Sequence, residues 1–237
     1  MYPDDCLQSL VNSAWWEKTS AQPLRPGLLL ETFIPYIDVT PHTLIAEARS
    51  DATDHHRAQF RIAPLDANSI PPPPAIPVSS LPLRERELYT VYRGKFRPVI
   101  VVGVGGCDVE PEHTRGQAKW QRRRTLHVAP YFTAAPGGPR GGWHPEFVHR
   151  IRRCTYSQFM WDILPHSGRS PSILRLDQMQ SVGQDAIALR RLGWCLSEDA
   201  LTVFREYVDW FLLRSIDPEG TLAVARPLLG ELAADPT

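Results

Sequence analysis

Three cations stand within five residues near the middle of the chain, at Arg93, Lys95 and Arg97. Pro98 follows Arg97 directly, which keeps Arg97 extended and pre-sets the start of an apolar segment, Val99 to Val102. A guanidinium held at the mouth of a strand is suited to bind phosphate, because its planar fork stays charged and loses little freedom on binding. The same residues also fit an ordinary β-hairpin with a solvated basic turn, so two interpretations are open.

The periodicity around this turn predicts a mainly β domain that ends in a helix. Leu88 to Tyr92 and Val99 to Val102 form the predicted hairpin, and Leu126 to Thr133 and residues 172–183 are predicted as later strands. The clearest helix follows Ser197, whose hydroxyl is a good N-cap and is followed by two acids. Residues 145–153, which start with a proline suited to the first turn, are predicted as a second helix, and the tail after residue 218 has the pattern of a short one.

The first third of the chain has a different organisation. Residues 4–18 place apolar side chains on one helical face and predict a helix, and three short strand-like segments follow as a β-meander. Four consecutive prolines at 71–74 favour an extended segment. We therefore predict an N-terminal extension over residues 1–63, a proline-rich linker over 64–83 and the main domain over 84–237.

The composition excludes several classes of protein. The 23 prolines among 237 residues argue against a long helical bundle, and no apolar run reaches the 18 residues of a membrane span. The N-terminus lacks the basic-then-apolar order of a secretion signal, and the four cysteines are widely spaced without a CxxC pair. We therefore expect a cytoplasmic protein with free thiols, no membrane association and no metal site.

The net charge of the chain is zero, but the charge is unevenly distributed. Residues 84–160 contain 14 Lys and Arg against six Asp and Glu, an excess of eight positive charges that the remainder of the chain balances. Such a local excess favours a polyanionic partner. Aromatic residues that could stack unpaired bases lie among these charges, at Trp120, Tyr131, Phe132 and Trp143.

Four motifs in this order resemble the MazF/PemK family of toxin ribonucleases, over about residues 85–215. The motifs are RPVIVVG after the basic turn, LHVAPYFT ending at Thr133, SILRLDQMQSV with its acid–Gln pair, and RRLGWCLSEDAL leading into the last helix. The resemblance implies an SH3-like β-barrel with a C-terminal helix, here with a strand-rich N-terminal extension. The first 83 residues lie outside it.

The resemblance also implies a function: metal-independent cleavage of single-stranded RNA within a toxin–antitoxin system, without a cofactor. Arg97 and Thr133 match the family's catalytic arginine and threonine, and Tyr92, Arg93, Lys95 and Phe132 are the residues expected to bind the RNA. An antitoxin protein and a second copy of the chain are the partners that the resemblance implies.

The identity of the general base is open. The family pattern has an acid before the arginine, but no carboxylate stands between Tyr92 and Arg97 here. Glu85, Glu87 and His127 are the nearest candidates in sequence. The missing acid supports a second hypothesis, a catalytically inactive SH3-like module that binds protein or nucleic acid.

Overall fold

Short β-branched and aromatic segments form strands through most of the chain, and proline, glycine and polar residues separate them. The structure, a computed structural model, describes residues 6–11, 13–20, 23–66, 68, 76, 78–79, 82–84, 87–106, 110–116, 124–134, 142–166, 170–184 and 187–231. Within those ranges the fold is mainly β, with antiparallel strand pairs and three α-helices. The strands are β1 (Trp16–Lys18), β2 (Leu28–Pro35), β3 (His42–Ala48), β4 (Gln59–Pro64), β5 (Tyr89–Val91), β6 (Gly94–Val104), β7 (Thr125–Thr133), β8 (Phe159–Leu164), β9 (Ser170–Arg175), β10 (Gln180–Gly183) and β11 (Leu189–Leu196).

The chain divides into two compact units, one of residues 1–33 with 96–237 and the other of residues 34–95. The larger sheet has the strand order β1-β11-β2-β6-β7-β9-β8, with β10 pairing to β7 as well; the smaller sheet has the order β4-β3-β5. The limits of these units differ from the boundaries predicted at 63/64 and 83/84, and the predicted extension, linker and main domain stay predictions.

Three helices pack on the two faces of the larger sheet. They are α1 (Pro145–Arg152), α2 (Glu198–Leu213) and α3 (Thr221–Glu231), at three of the four places where the sequence predicts helices. The larger core contains Tyr131 and Leu174 from the sheet with residues of α2 and α3. The smaller core contains Ile173 from the sheet with residues of α1. Because neighbours along a strand point to opposite faces, Ile173 and Leu174 show that the two cores lie on opposite faces of this part of the sheet.

The apolar side chains of α2 belong to the larger core. Phe204 is 1% exposed and packs there with Val203 and Tyr207, while Phe211 is half-buried against the same core. This side of α2 therefore helps to close the larger core. No helix within the described ranges is both long and apolar enough to cross a membrane.

Four expectations about local structure are wrong. Residues 7–10 form a 3₁₀-helix and Trp16–Lys18 a strand, so a single helix over residues 4–18 does not form. The segment 172–183 is two strands, β9 and β10, separated by a 3₁₀ turn at Leu176–Gln178 that buries Leu176 and Gln178. Both strands still pair with β7.

The predicted hairpin and the predicted meander do not form, because their strands pair with segments that are distant in the chain. Strand β5 pairs with β3, whereas β6 pairs with β7, so the two strands of the expected hairpin lie in different sheets. Likewise β3 and β4 pair with each other, but β2 pairs with β11 near the other end of the chain. Strand partners are chosen by burial of matching faces, which local periodicity does not encode.

The N-cap of α2 is where the sequence places it, and it supports a first prediction. The Ser197 hydroxyl accepts a hydrogen bond from the Ala200 amide at 3.3 Å. Replacing Ser197 with alanine should lower the free energy of unfolding by about 1 kcal/mol, because this amide then loses its partner inside the protein. Chemical denaturation measures the change, and Thr202→Ala is the control: its hydroxyl bonds only the Glu198 carbonyl one turn earlier, so its loss should change stability little.

Candidate nucleic-acid interface

Arg97 and Phe132 meet because of the register between β6 and β7. Val99 lies opposite Pro130 in this antiparallel pair, so Arg97 and Phe132, each two residues further out, share one face of the sheet. The Arg97 Cζ is 4.0 Å from the centroid of the Phe132 ring, within the range of a cation–π contact. Both side chains are half-buried, so each keeps a part open to solvent.

A second guanidinium approaches the same ring from β9. The Arg175 Cζ lies 5.4 Å from the Phe132 ring centroid and 5.6 Å from that of Phe159. Asp177 orients this arginine through two hydrogen bonds, from Nε to Oδ1 at 3.0 Å and from Nη2 to Oδ2. We call Arg97, Phe132, Arg175 and Phe159 the arginine–aromatic face.

Further aromatic rings continue this face towards α1. Phe147 lies 5.3 Å from Phe159 between ring centroids, and Trp143 stacks on Phe147 at 5.6 Å with an interplanar angle of 24°. The Trp143 indole N–H donates a hydrogen bond to the Thr133 carbonyl oxygen at 3.1 Å, which fixes its position beside the end of β7. Trp143, Phe147 and Phe159 therefore form an aromatic cluster next to Arg175, and each ring is half-buried against the smaller core.

Thr133 is adjacent to Phe132 in sequence but presents its side chain to the other face of the sheet. Phe132 contacts Arg97, and Ala134 packs in the smaller core, whereas Tyr131 packs in the larger core. Side chains alternate along a strand, so Thr133 shares the face of Tyr131. The structure therefore brings Arg97 and Phe132 together and does not place the Thr133 hydroxyl beside the Arg97 guanidinium.

Tyr92, Arg93 and Lys95 belong to the smaller unit, residues 34–95. There the Arg93 Cζ is 6.0 Å from the Tyr36 ring centroid, and the Arg93 carbonyl accepts a hydrogen bond from the Tyr36 amide at 2.8 Å. The basic turn is thus anchored to Tyr36 within its own unit.

The three candidate general bases have different surroundings, and only His127 lies in the same unit as Arg97. His127 lies on β7 five residues before Phe132, which corresponds to about 16 Å of strand. It is exposed, and its Nδ1 is 3.2 Å from the Ser181 hydroxyl. Glu87 lies in the smaller unit, where its carboxylate accepts a hydrogen bond from the Arg84 amide at 2.7 Å. Glu85 lies outside the described residues.

A buried carboxylate, Asp162, occupies the opposite side of the sheet from the arginine–aromatic face. Its Oδ2 accepts a hydrogen bond from the Tyr131 hydroxyl at 2.7 Å, and its Oδ1 accepts one from the Trp16 indole at 3.0 Å and one from Gln8. Burial raises the pKa of Asp162 to about 6, against the opposing effect of these three donors. Asp162 is 0% exposed, so no substrate reaches it and its role is structural: it ties the N-terminal segment to β7 and β8.

Sequence reasoning missed three of these positions. Arg175 lies within the predicted strand over residues 172–183, and the acid two residues later, Asp177, is the signal that could have marked it. Asp162 carried a stronger signal, because it is a lone acid inside the apolar strand FMWDIL. Phe159 carried none, since its role depends on the packing of α1. Within the described ranges, no group of three or more His, Cys, Asp or Glu is arranged to hold a metal ion.

None of the known family models, curated proteins or solved structures compared with this chain matches it, so the chemistry of the site rests on its own residues.

Proposed function

We propose that the protein binds single-stranded RNA on the arginine–aromatic face. The observation that carries this proposal is the Phe132 ring between two guanidinium groups, 4.0 Å from Arg97 and 5.4 Å from Arg175. A guanidinium held beside a ring is suited to contact bases and phosphates. The Nε and Nη2 edge of Arg175 bonds Asp177, so Arg175 contributes mainly its contact with the ring. The excess of basic residues in this part of the chain supports a polyanionic ligand.

The aromatic rings next to the two arginines favour an unpaired strand over a duplex. Proteins bind single strands by stacking successive bases on aromatic side chains beside a basic track, and each stacked base contributes about 1–3 kcal/mol. The cluster of Phe159, Phe147 and Trp143, which Arg175 connects to Phe132, supplies half-buried rings for such contacts. Paired bases would offer such rings only their edges.

Cleavage of that RNA, as a MazF/PemK-like toxin, is the enzymatic form of the proposal. Arg97 would stabilise the charge that develops on phosphorus, and Thr133 would donate a hydrogen bond to the phosphate. The SH3-like barrel belongs to this form. It is supported by the hydrogen bond from Trp16 to Asp162, which joins β1 and β8, the two end strands of the larger sheet's path. An antitoxin and a second copy of the chain are its expected partners.

Binding without cleavage is the second form, and strand alternation favours it. Arg97 and Thr133 lie on opposite faces of the sheet, so they do not converge on one phosphodiester in this arrangement. His127, the candidate base in the same unit, lies about 16 Å along β7 from Phe132. A silent binding module needs neither convergence nor a base.

The test is retention and cleavage of labelled RNA by the purified protein in EDTA. We expect single-stranded RNA to be retained at lower protein concentration than a duplex of the same sequence. Equal retention of both, or retention of neither at moderate salt, would overturn the proposal. The appearance of cut product would select the toxin form, and retained intact RNA would select the silent module.

A further inference from the structure

A groove of about 520 Å³ lies where the C-terminal turn of α1 meets α3. Its lining includes Arg153 and Thr155, just after α1, and Arg226 on α3, together with Ala223, Pro227 and Gly230. None of these residues belongs to the arginine–aromatic face. Two guanidinium groups and a hydroxyl thus border one open hollow.

Arg226 is held in place by two contacts that leave its outer edge unused. Its Nε donates a hydrogen bond to the Cys154 carbonyl oxygen at 3.0 Å, and its Cζ lies 4.5 Å from the Trp210 ring centroid. Within the part of the chain that the structure describes, its two terminal nitrogens make no hydrogen bond or ion pair. The fork is therefore pre-oriented, and an incoming group would immobilise little further freedom.

Arg153 and Thr155 reach the groove from either side of a turn. Cys154 between them has a φ of 52°, and its side chain is buried in the larger core while both neighbours line the groove. Thr155 is exposed, and its hydroxyl makes no hydrogen bond to any described residue. The turn thus presents a cation and a hydroxyl donor on the side where Arg226 stands.

We propose that this groove binds a phosphate group. Guanidinium forks match the geometry of phosphate oxygens and form charge-assisted hydrogen bonds with them, and a threonine hydroxyl adds a neutral donor. The positive charge of Arg226, with Arg153 also lining the groove, favours an anionic ligand. The ligand is either a free phosphate or phosphomonoester, or a backbone phosphate of RNA. The first alternative stands without the proposed function, and the second rests on it.

The first measurement is calorimetric titration of the full chain with inorganic phosphate, at constant ionic strength set with chloride. We expect binding that Arg226→Gln weakens about tenfold or more, because a charge-assisted hydrogen bond corresponds to about that factor in affinity. Arg205→Gln is the matched control. Arg205 is an exposed arginine of α2 outside the groove, so the same loss of charge there should leave phosphate affinity unchanged.

A second variant distinguishes loss of a ligand contact from misfolding. Arg226→Gln also removes the bond to Cys154, whereas the Thr155 hydroxyl has no described partner, so Thr155→Val should keep the fold. We expect Thr155→Val to weaken phosphate binding about three- to tenfold, as for one neutral hydrogen bond. Circular dichroism confirms the fold of each variant.

Titration with single-stranded RNA distinguishes the two sources of phosphate. If the groove variants weaken phosphate binding alone, the ligand is a free phosphate or phosphomonoester. If they weaken RNA binding, with or without an effect on phosphate, the groove takes a backbone phosphate. The proposal is overturned if Arg205→Gln has the same effect as the groove variants. It is also overturned if the wild-type chain shows no phosphate binding and the groove variants bind RNA as the wild type does.

Discussion

Replacing Arg97 with alanine should weaken binding of single-stranded RNA about 10- to 100-fold, the range expected for loss of a charge-assisted hydrogen bond. The guanidinium lies 4.0 Å from the Phe132 ring centroid, so its removal takes away both a cation and one layer of the arginine–aromatic face. Fluorescence anisotropy with a labelled oligonucleotide at fixed salt measures the change.

Two further variants distinguish RNA binding at this face from non-specific electrostatic binding of RNA. Arg205→Ala removes an exposed arginine outside the face and should weaken binding less than threefold, as expected for one screened surface charge. Phe132→Leu keeps an apolar side chain but removes the ring, and it should lower RNA affinity as well. Equal losses for Arg97→Ala and Arg205→Ala would show that the RNA does not bind on this face.

Thr133→Val separates cleavage from binding. If the protein is a nuclease of the proposed type, this variant should lose cleavage and keep RNA affinity, because the hydroxyl is needed only at the reacting phosphate. If it is a silent module, the variant should behave as the wild type in both assays. Cleavage that persists at the wild-type rate in both Arg97→Ala and Thr133→Val would exclude these two residues as the catalytic pair.

The second large effect concerns Asp162 and the pH dependence of stability. Burial raises its pKa in the folded chain from the ordinary 3.8 to about 6, so the folded state binds a proton more tightly than the unfolded state. The resulting stabilisation is fully present below about pH 4 and is lost as the pH rises through 6. Between pH 5 and 7.5 the free energy of unfolding should fall by about 1 kcal/mol from this group, and Asp162→Asn should remove that dependence.

Tyr131→Phe should lower the free energy of unfolding at pH 7.5 by about 2–3 kcal/mol, because the buried carboxylate loses its donor at Oδ2. Loss of that donor also raises the pKa of Asp162 further, so the pH-dependent decrease should move to higher pH. Urea denaturation across pH 5–8 measures both effects.

Tyr207→Phe is the matched control for this prediction. The Tyr207 hydroxyl is also fully buried, but it donates to the carbonyl oxygens of Tyr156 and Phe159, which do not titrate. This variant should lose stability without a change in pH dependence. The same pH profile for Tyr131→Phe and Tyr207→Phe would show that Asp162 does not govern the acid response.

The elements that local chemistry specifies could be predicted from the sequence. Strand β7 ends at Thr133 as expected, α1 begins at the proline, and α2 follows the Ser197 cap, because capping and periodicity act within a few residues. The interruption between β9 and β10 was not predictable in this way. Leu176 and Gln178 turn inward there because the surrounding core buries them, which an alternating pattern does not reveal.

Part of the candidate site could also be predicted, because local sequence features identify single residues. The sequence alone marked Arg97 as an extended, strand-borne cation and Phe132 as an aromatic residue among basic ones. Which residues it meets depends on strand register between segments far apart in the chain, and a shift of one residue would turn Arg97 to the other face. Only the tertiary structure therefore pairs Arg97 with Phe132, adds Arg175, separates Thr133 from them and encloses Asp162.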